Sequence, residues 1–258
     1  MDRVAAINDL TTAVKDLALR EGASLVGIST PERFDGAPAG HHPRDFVRGA
    51  RSIVTFGVRI LWPVANWPDY LKESELIPEE VRHQLLMEYL YTGSGYNIIN
   101  DRLNQIALSV GNFLEERGYR SIFFPATYGH ASELTKKVPD LLGLFSQRHA
   151  AVRAGLAEFG LNNVAVTREY GPRIRFNSVI TEAPLEPTPL LSEKVCIGEG
   201  CRICVDECPA GAIAVQPDIS DGDFWMNPVS RTNRAACRAE RERSGCYGTC
   251  IRVCPVGK

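Results

Sequence analysis

The stretch that decides the fold reads Val195-Cys196-Ile197-Gly198-Glu199-Gly200-Cys201-Arg202-Ile203-Cys204-Val205-Asp206-Glu207-Cys208-Pro209. A second run near the end of the chain contains Cys237, Cys246, Cys250 and Cys254, with Pro255 directly after it. These two runs hold all eight cysteines of the 258 residues. Each run ends in Cys-x3-Cys-Pro, which is typical of [4Fe-4S] ligands, and each such cluster takes four thiolates. The eight cysteines therefore predict two clusters.

In proteins with two such clusters, the fourth cysteine of each run binds the cluster of the other run. This rule predicts a ligand set A of Cys196, Cys201, Cys204 and Cys254, and a set B of Cys208, Cys237, Cys246 and Cys250. Two alternatives fit the sequence less well. Disulfides need an oxidising compartment, for which no secretory signal is visible, and two zinc sites do not explain the Cys-Pro endings.

Length and charge limit the remaining possibilities. A chain of this length forms one large domain, or one domain with a small module. The net charge of -2 argues against a nucleic-acid partner. No run of about 18 apolar residues is present, so no membrane segment is expected. The start of the chain has neither a twin-arginine pair nor an apolar secretory core, which predicts a cytoplasmic location.

Hydrophobic periodicity predicts an α/β (α+β) domain over residues 1–190 and a cluster-binding module over residues 191–258. Helices are predicted at 3–21, 79–91, 97–117 and 147–158, and strands at 25–28, 52–58, 121–124, 164–166 and 174–181. Residues 125–146 are predicted to line a pocket. The proline-rich stretch 182–191 is predicted to connect the two parts.

The front domain carries no nucleotide fingerprint. It has no G-x-G-x-x-G after a strand, no Walker loop and no D-x-H-x-x-G cobalamin signature. Iron-sulfur clusters pass single electrons, so the front domain is expected to hold a cofactor or a bound partner that accepts them.

Five segments resemble, in the same order, the shared core of the epoxyqueuosine reductase and reductive dehalogenase superfamily. They are Gly22 to Ile28, Asn112 to Tyr119, His149 to Gly160, Tyr170 to Arg175 and Ile180 to Leu185. The segment from Cys237 to Cys254, with Arg238 after its first cysteine, is similar to the dehalogenase branch. The resemblance covers about the whole chain.

The resemblance implies a nitroreductase-like, cobalamin-binding core with a C-terminal ferredoxin-like two-cluster module. The cobalamin would be bound base-off, and the clusters would reduce its cobalt to Co(I). Epoxyqueuosine reductases carry Trp-Ile-Gly-Lys-Asn where this chain has Phe159-Gly160-Leu161-Asn162-Asn163, and they continue into a helical-repeat extension. A short cytoplasmic member with an unidentified substrate is therefore expected.

Two residues are candidates for proton donation because of their positions in the resemblance. Asp140 lies roughly where epoxyqueuosine reductases place a proton-donating aspartate, and Tyr96 lies where dehalogenases place a tyrosine. A buried carboxyl with a raised pKa could protonate a carbanion. The alternatives are a solvated loop carboxylate for Asp140 and core packing for Tyr96.

Six further residues are candidates for holding the cofactor: Gly155, Asn162, Asn163, Tyr170, Arg173 and Arg175. Arg173 and Arg175 are two apart, so on a strand they would share a face and could bind a corrin nucleotide phosphate. The alternative for them is a salt-bridged surface strand. Asn162 and Asn163 could bond cofactor amides, or form a helix C-cap and turn.

These observations favour an iron-sulfur, corrinoid-dependent reductase of a small-molecule substrate, with electrons from a ferredoxin or flavodoxin. An electron-transfer protein that reduces a corrinoid partner and has no substrate chemistry of its own is the alternative. A flavin in the front-domain pocket is a third possibility. The sequence gives neither the substrate nor the oligomeric state.

Overall fold

The structure is a computed structural model that describes residues 3–69, 77–126, 144–214, 232–246 and 248–257. Its α-helices are α1 (Arg3–Arg20), α2 (Pro43–Phe46), α3 (Trp62–Ala65), α4 (Glu79–Leu86), α5 (Ile98–Glu115), α6 (Gln147–Arg153), α7 (Ile203–Asp206), α8 (Arg234–Ser244) and α9 (Thr249–Arg252). Its strands are β1 (Leu25–Ser29), β2 (Ser52–Arg59), β3 (Ser121–Phe123), β4 (Glu158–Phe159), β5 (Ala165–Val166) and β6 (Ile174–Thr181). The predicted mixture of helices and strands is confirmed.

The main sheet has four strands in the order β1-β2-β6-β3. β1 runs antiparallel to β2, with Leu25 opposite Gly57, and β3 runs antiparallel to β6, with Ser121 opposite Thr181. The two central strands are buried along most of their length. The buried positions include polar residues, such as Thr55 of β2 and Asn177 of β6, whose side chains hydrogen-bond to neighbouring side chains.

Residues 79–115 form one continuous helical stretch instead of the two predicted helices. Between α4 and α5 lies a π-helix, Met87–Asn97, and the amide of Ile98 donates to the carbonyl of Gly93, five residues earlier. Gly95 packs closely here, because a Cβ on it would lie 2.8 Å from Val64 Cγ1. The predicted break between two helices is therefore wrong, since its glycines serve close packing within a widened helix.

The predicted helix 147–158 is too long. α6 ends at Arg153, and residues 158 and 159 form β4, which pairs antiparallel with β5. Gly155 stops the helix because it has a φ of +71°, and a Cβ there would lie 2.0 Å from the carbonyl oxygen of Pro189. Only glycine fits this combination of backbone angle and contact.

The chain divides into two compact units. The first consists of Met1–Val58, Asn100–Leu156 and Arg175–Leu191, and the second of Arg59–Ile99, Ala157–Ile174 and Ser192–Lys258. The predicted boundary near residue 190 coincides with the end of the last segment of the first unit. The second unit, however, also takes residues 59–99 and 157–174 from the predicted front domain, so the two domains of the sequence analysis stay a prediction. Among the helices described, none has the length and apolar character needed to cross a membrane.

Candidate metal centre

The four cysteines of set A line one cavity within the second unit. Its wall also includes Leu161, Asn162, Val166, Ile197, Gly198, Arg202, Pro255 and Val256. Three of these cysteines come from the first run, whereas Cys254 comes from the end of the second run. The structure therefore brings together the residues that the crossing rule predicts as one ligand set.

Tight turns between the cysteines produce this arrangement. In the first run, a 3-10 turn spans Gly198–Gly200, and Arg202 has a φ of +49° before α7 begins. In the second run, Gly248 has a φ of +98° and precedes α9. These left-handed residues reverse the chain within a few positions, as glycine permits at little cost. Such turns let successive thiols face one cavity.

The thiols of set A raise one another's pKa. Burial raises the pKa of Cys204 to about 11, and the charges of Cys196, Cys254 and Cys201 contribute to the shift. Burial also raises the pKa of Cys254, although the amide of Val256 and the guanidinium of Arg173 oppose that shift. Four thiolates held together in this way need a compensating positive charge. The donor set fits an iron-sulfur cluster, whose irons supply that charge.

Set B shows the same mutual influence. Burial raises the pKa of Cys250 to about 12, helped by Cys204, Cys246, Cys208 and Cys237 in that order. Partial burial, then Cys246 and Cys208, raise the pKa of Cys237, which Arg241 lowers. Cys237 is the one exposed cysteine of the eight. Helix α7, which carries Cys204 of set A, packs against α9, which carries Cys250 of set B, so the two sets lie side by side.

The described ranges contain no group of three or more histidine, cysteine, aspartate or glutamate side chains placed to hold a metal ion. Cluster binding by sets A and B therefore stays a prediction. One further contact at set A was not predicted from the sequence: the amide of Cys196 donates to Glu158 Oε1 at 2.7 Å. No local pattern connects these two residues, which are 38 positions apart.

Arg173 does not reach a free anion site. Its side chain is only 2% exposed, and its guanidinium donates to the main-chain carbonyls of Ile251 (3.2 Å), Cys254 (3.0 Å) and Val256. The same group lies over the ring of Trp62, 4.6 Å from its centroid. These contacts do not support the predicted phosphate contact of Arg173. They point instead to the backbone that carries Cys254.

Asn162 has a similar position. It is buried, its Nδ2 donates to the carbonyl of Cys250 at 3.1 Å, and its Oδ1 accepts from the amide of Val164 at 3.3 Å. Asn163, with a φ of +57°, forms the turn that follows. The turn expected as the alternative for these asparagines is present. In this turn, Asn162 contacts the backbone of Cys250, which is a predicted cluster ligand.

The remaining predicted cofactor residues are Arg175, Tyr170 and Gly155. Arg175 lies in β6, and its Nε donates to Asn100 Oδ1 at 2.7 Å. Arg173 precedes this strand, so the two arginines do not form the predicted pair on one strand. Tyr170 is half-buried, and Gly155 ends α6 as described above. Their roles towards a cofactor stay predictions.

Of the two predicted proton donors, only Tyr96 lies among the described residues. It is half-buried in the π-helix that precedes α5. Asp140 lies outside the described residues, as does most of the stretch 125–146 that was predicted to line a pocket. Both catalytic assignments stay predictions.

Comparisons with known proteins find relatives that are named as reductases, although no family model matches the chain. The tetrachloroethene reductive dehalogenase of Sulfurospirillum multivorans is 30% identical over 132 residues, which are 47% of this chain and 25% of that protein. The epoxyqueuosine reductase of Bacillus cereus is 23% identical over 228 residues, which are 84% of this chain and 51% of that protein. The chain thus spans about half or less of the length of these relatives.

Two solved structures share the fold. A crystal structure of epoxyqueuosine reductase with an epoxyqueuosine-modified tRNA-Tyr stem loop aligns with a TM-score of 0.63 and 20% identity, over 96% of this chain and 65% of that one. A reductive dehalogenase whose structure suggests a mechanism for B12-dependent dehalogenation aligns with a TM-score of 0.50 and 18% identity, over 81% of this chain and 26% of that one. The resemblance predicted from the sequence motifs is confirmed, and this chain is a relative of the epoxyqueuosine reductases and the reductive dehalogenases.

Proposed function

We propose that this protein is an iron-sulfur reductase in which two clusters deliver single electrons to a corrinoid and, through it, to a substrate. The observation that carries the proposal is the arrangement of the thiols. Set A lines one cavity, and α7, which carries Cys204 of set A, packs against α9, which carries Cys250 of set B. Two adjacent clusters form a relay for one-electron transfer, which is the chemistry that such clusters supply when bound.

The corrinoid is proposed from the relatives and not from the residues that were assigned to it. The printed description of one structural neighbour names B12-dependent dehalogenation. In this chain, Arg173 and Asn162 are committed to main-chain carbonyls, so we do not assign them to a corrinoid. Base-off binding and the nitroreductase-like and ferredoxin-like descriptions of the two parts belong to the same proposal. A flavin stays the alternative cofactor.

The surface of α8 supports electron entry at set B from an acidic ferredoxin or flavodoxin. Cys237 lies on this helix, and Arg234 and Arg241 lie three residues before and four residues after it, on the same face. Arg238 directly follows, and all three arginines are exposed. Basic patches around a redox centre steer acidic partners and accelerate their encounter.

The substrate class is open between two kinds of molecule. The net charge of -2 argues against a nucleic-acid partner, but one structural neighbour holds a tRNA stem loop. That finding makes RNA plausible, so a modified tRNA stem loop and a chlorinated alkene such as tetrachloroethene are the first substrates to test. The cytoplasmic location is part of the proposal.

Anaerobic reconstitution tests the proposal directly. We expect about eight irons per chain, because each of two clusters contains four. Titration with cob(II)alamin should then give a base-off signal in electron paramagnetic resonance (EPR) spectra. Eight irons without cobalamin or flavin binding would instead support the electron-transfer protein. Far fewer than eight irons would refute both functions.

A further inference from the structure

We propose that Arg173 and Asn162 are positioning residues that hold the second cysteine run by its backbone, and that Arg173 also raises the reduction potential of the set A cluster. The inference goes beyond the proposed function, and its part concerning the potential rests on that function. The part concerning the backbone depends only on the contacts of this chain.

Arg173 donates hydrogen bonds to three main-chain carbonyls that have no partner within a helix. Ile251 lies near the C-terminal end of the short helix α9, where main-chain carbonyls have no partner within the helix. Cys254 and Val256 follow the helix. One guanidinium reaches all three, with distances of 3.2 Å to Ile251 and 3.0 Å to Cys254. A planar group with five donors suits this task, whereas an ammonium group presents three donors from one atom.

Asn162 extends this support to set B. Its Nδ2 donates to the carbonyl of Cys250, which is a predicted ligand of the other cluster. Gly160 leaves the space for its amide, because a Cβ on Gly160 would lie 2.8 Å from Asn162 Oδ1. The two side chains therefore support one predicted ligand from each set.

The backbone of the last residues also packs against the segment that carries Arg173. A Cβ on Gly171 would lie 2.0 Å from the carbonyl oxygen of Val256, and a Cβ on Gly257 would lie 2.3 Å from the carbonyl carbon of Tyr170. Such close approach of main chain to main chain requires glycine. Residues 170–173 and 254–257 thus form one packed pair of segments that fixes Cys254.

The charge of Arg173 acts on the cluster as well as on the backbone. Its guanidinium donates to the carbonyl of Cys254 at 3.0 Å and lies in a buried environment, where screening by water is weak. Reduction adds one negative charge to a cluster, and a nearby positive charge favours that state. Net charge and hydrogen bonds near the sulfurs are among the features that set cluster potentials.

Three variants separate the two effects. Arg173→Met removes the charge and the hydrogen bonds, and Arg173→Lys keeps the charge with fewer donors. Asn162→Ala removes the contact to Cys250 and the shorter-range contact to the amide of Val164, and leaves the charge of Arg173 in place. Arg168→Met is the matched control, because Arg168 lies five residues away, is exposed and pairs with Glu193. Circular dichroism melting checks that each variant folds.

The first measurement is a redox titration of the reconstituted protein, followed by EPR. In Arg173→Met, the ratio of reduced to oxidised set A cluster at a fixed potential should fall about tenfold, which corresponds to 59 mV for a one-electron couple. Arg173→Lys should have a reduction potential close to that of the wild type, because it keeps the charge. Asn162→Ala should have the wild-type potential. Wild-type potentials in Arg173→Met would overturn the electrostatic part of the proposal.

The second measurement uses the iron-free protein, so it does not depend on cluster binding. Alkylation of Cys254 by iodoacetamide, followed by mass spectrometry, should be about tenfold faster in Arg173→Lys than in the wild type, because the lysine keeps the charge that favours the thiolate but loses hydrogen bonds to the backbone. In Asn162→Ala, the faster site should be Cys250. Alkylation at the rate of the Arg168→Met control in both variants would overturn the positioning role. A wild type that binds no iron would refute the proposed function while leaving this result valid.

Discussion

The pairing of ligands across the two cysteine runs can be tested by counting irons in paired alanine variants. Cys204 and Cys254 line the same cavity, although they belong to different runs. Replacing both by alanine should therefore remove ligands from one cluster only, and about four of about eight irons should remain. If each run bound its own cluster, the same two changes would damage both clusters, and almost no iron would remain.

The converse pair makes the test symmetrical. Cys250 and Cys254 lie in the same run, but Cys254 lines the cavity of set A, whereas Cys250 is not among the residues that line it. Replacing Cys250 and Cys254 by alanine should leave almost no iron, whereas binding by separate runs would leave about four. Iron and sulfide analysis after anaerobic reconstitution, with EPR of the reduced protein, measures both variants. About four irons in the second variant and almost none in the first would refute the crossing arrangement.

Three further predictions follow from particular residues. Burial, followed by the charges of Arg153 and Arg148, lowers the pKa of His149 to about 3 from the ordinary 6.5. As the pH falls below 6.5, His149 therefore becomes protonated in the unfolded chain but not in the folded one. The free energy of unfolding decreases towards pH 3, by about 1 kcal/mol between pH 7 and 5.5. Urea unfolding at both pH values should show this loss, and His149→Gln should reduce it; an unchanged loss would contradict the assignment. Gly155→Ala should lower the free energy of unfolding by more than about 2 kcal/mol, because it adds a clash with Pro189 to the cost of a φ of +71°. Gly118→Ala, at a φ of +82° with nothing within 4 Å of its Cβ, isolates the backbone cost, so equal losses in the two variants would argue against the clash. Replacing Arg234 and Arg238 by serine should slow reduction by an acidic flavodoxin and weaken its salt dependence, while reduction by dithionite stays unchanged. Wild-type rates with flavodoxin would place its docking site elsewhere.

Local sequence patterns predicted the parts of the molecule that depend on local physics. The strand at 174–181 coincides with β6, since aromatic and β-branched residues such as Phe176, Val179 and Ile180 favour strands. The helix at 3–21 matches α1, which ends before Gly22. The grouping of the four set A cysteines around one cavity also followed from the sequence, because it was predicted from the spacing of the cysteines and prolines.

The parts that were missed depend on contacts distant in sequence. The π-helix could not be predicted because its glycines resemble a break, and only the approach of Val64 to Gly95 shows why they are needed. Arg173 was assigned to a strand and a phosphate because it stands two residues before Arg175. Its carbonyl partner at Cys254 lies 81 positions away, so no local pattern could indicate the contact.

Burying an arginine only to hold the backbone in place would be energetically unfavourable. Desolvation of a charge costs several kcal/mol, and replacement of buried ions by apolar side chains is often neutral or stabilising. The three carbonyls and the ring of Trp62 offset part of this cost for Arg173, but neutral amide donors such as that of Asn162 could satisfy carbonyls without burying a charge. A buried cation gains more where a negative charge must be stabilised nearby. Four thiolates around a cluster that accepts a further electron would present such a charge, and Cys254, whose carbonyl Arg173 contacts, is one of the four predicted ligands. The position of Arg173 is therefore better explained by the redox state of its neighbour than by the stability of the fold.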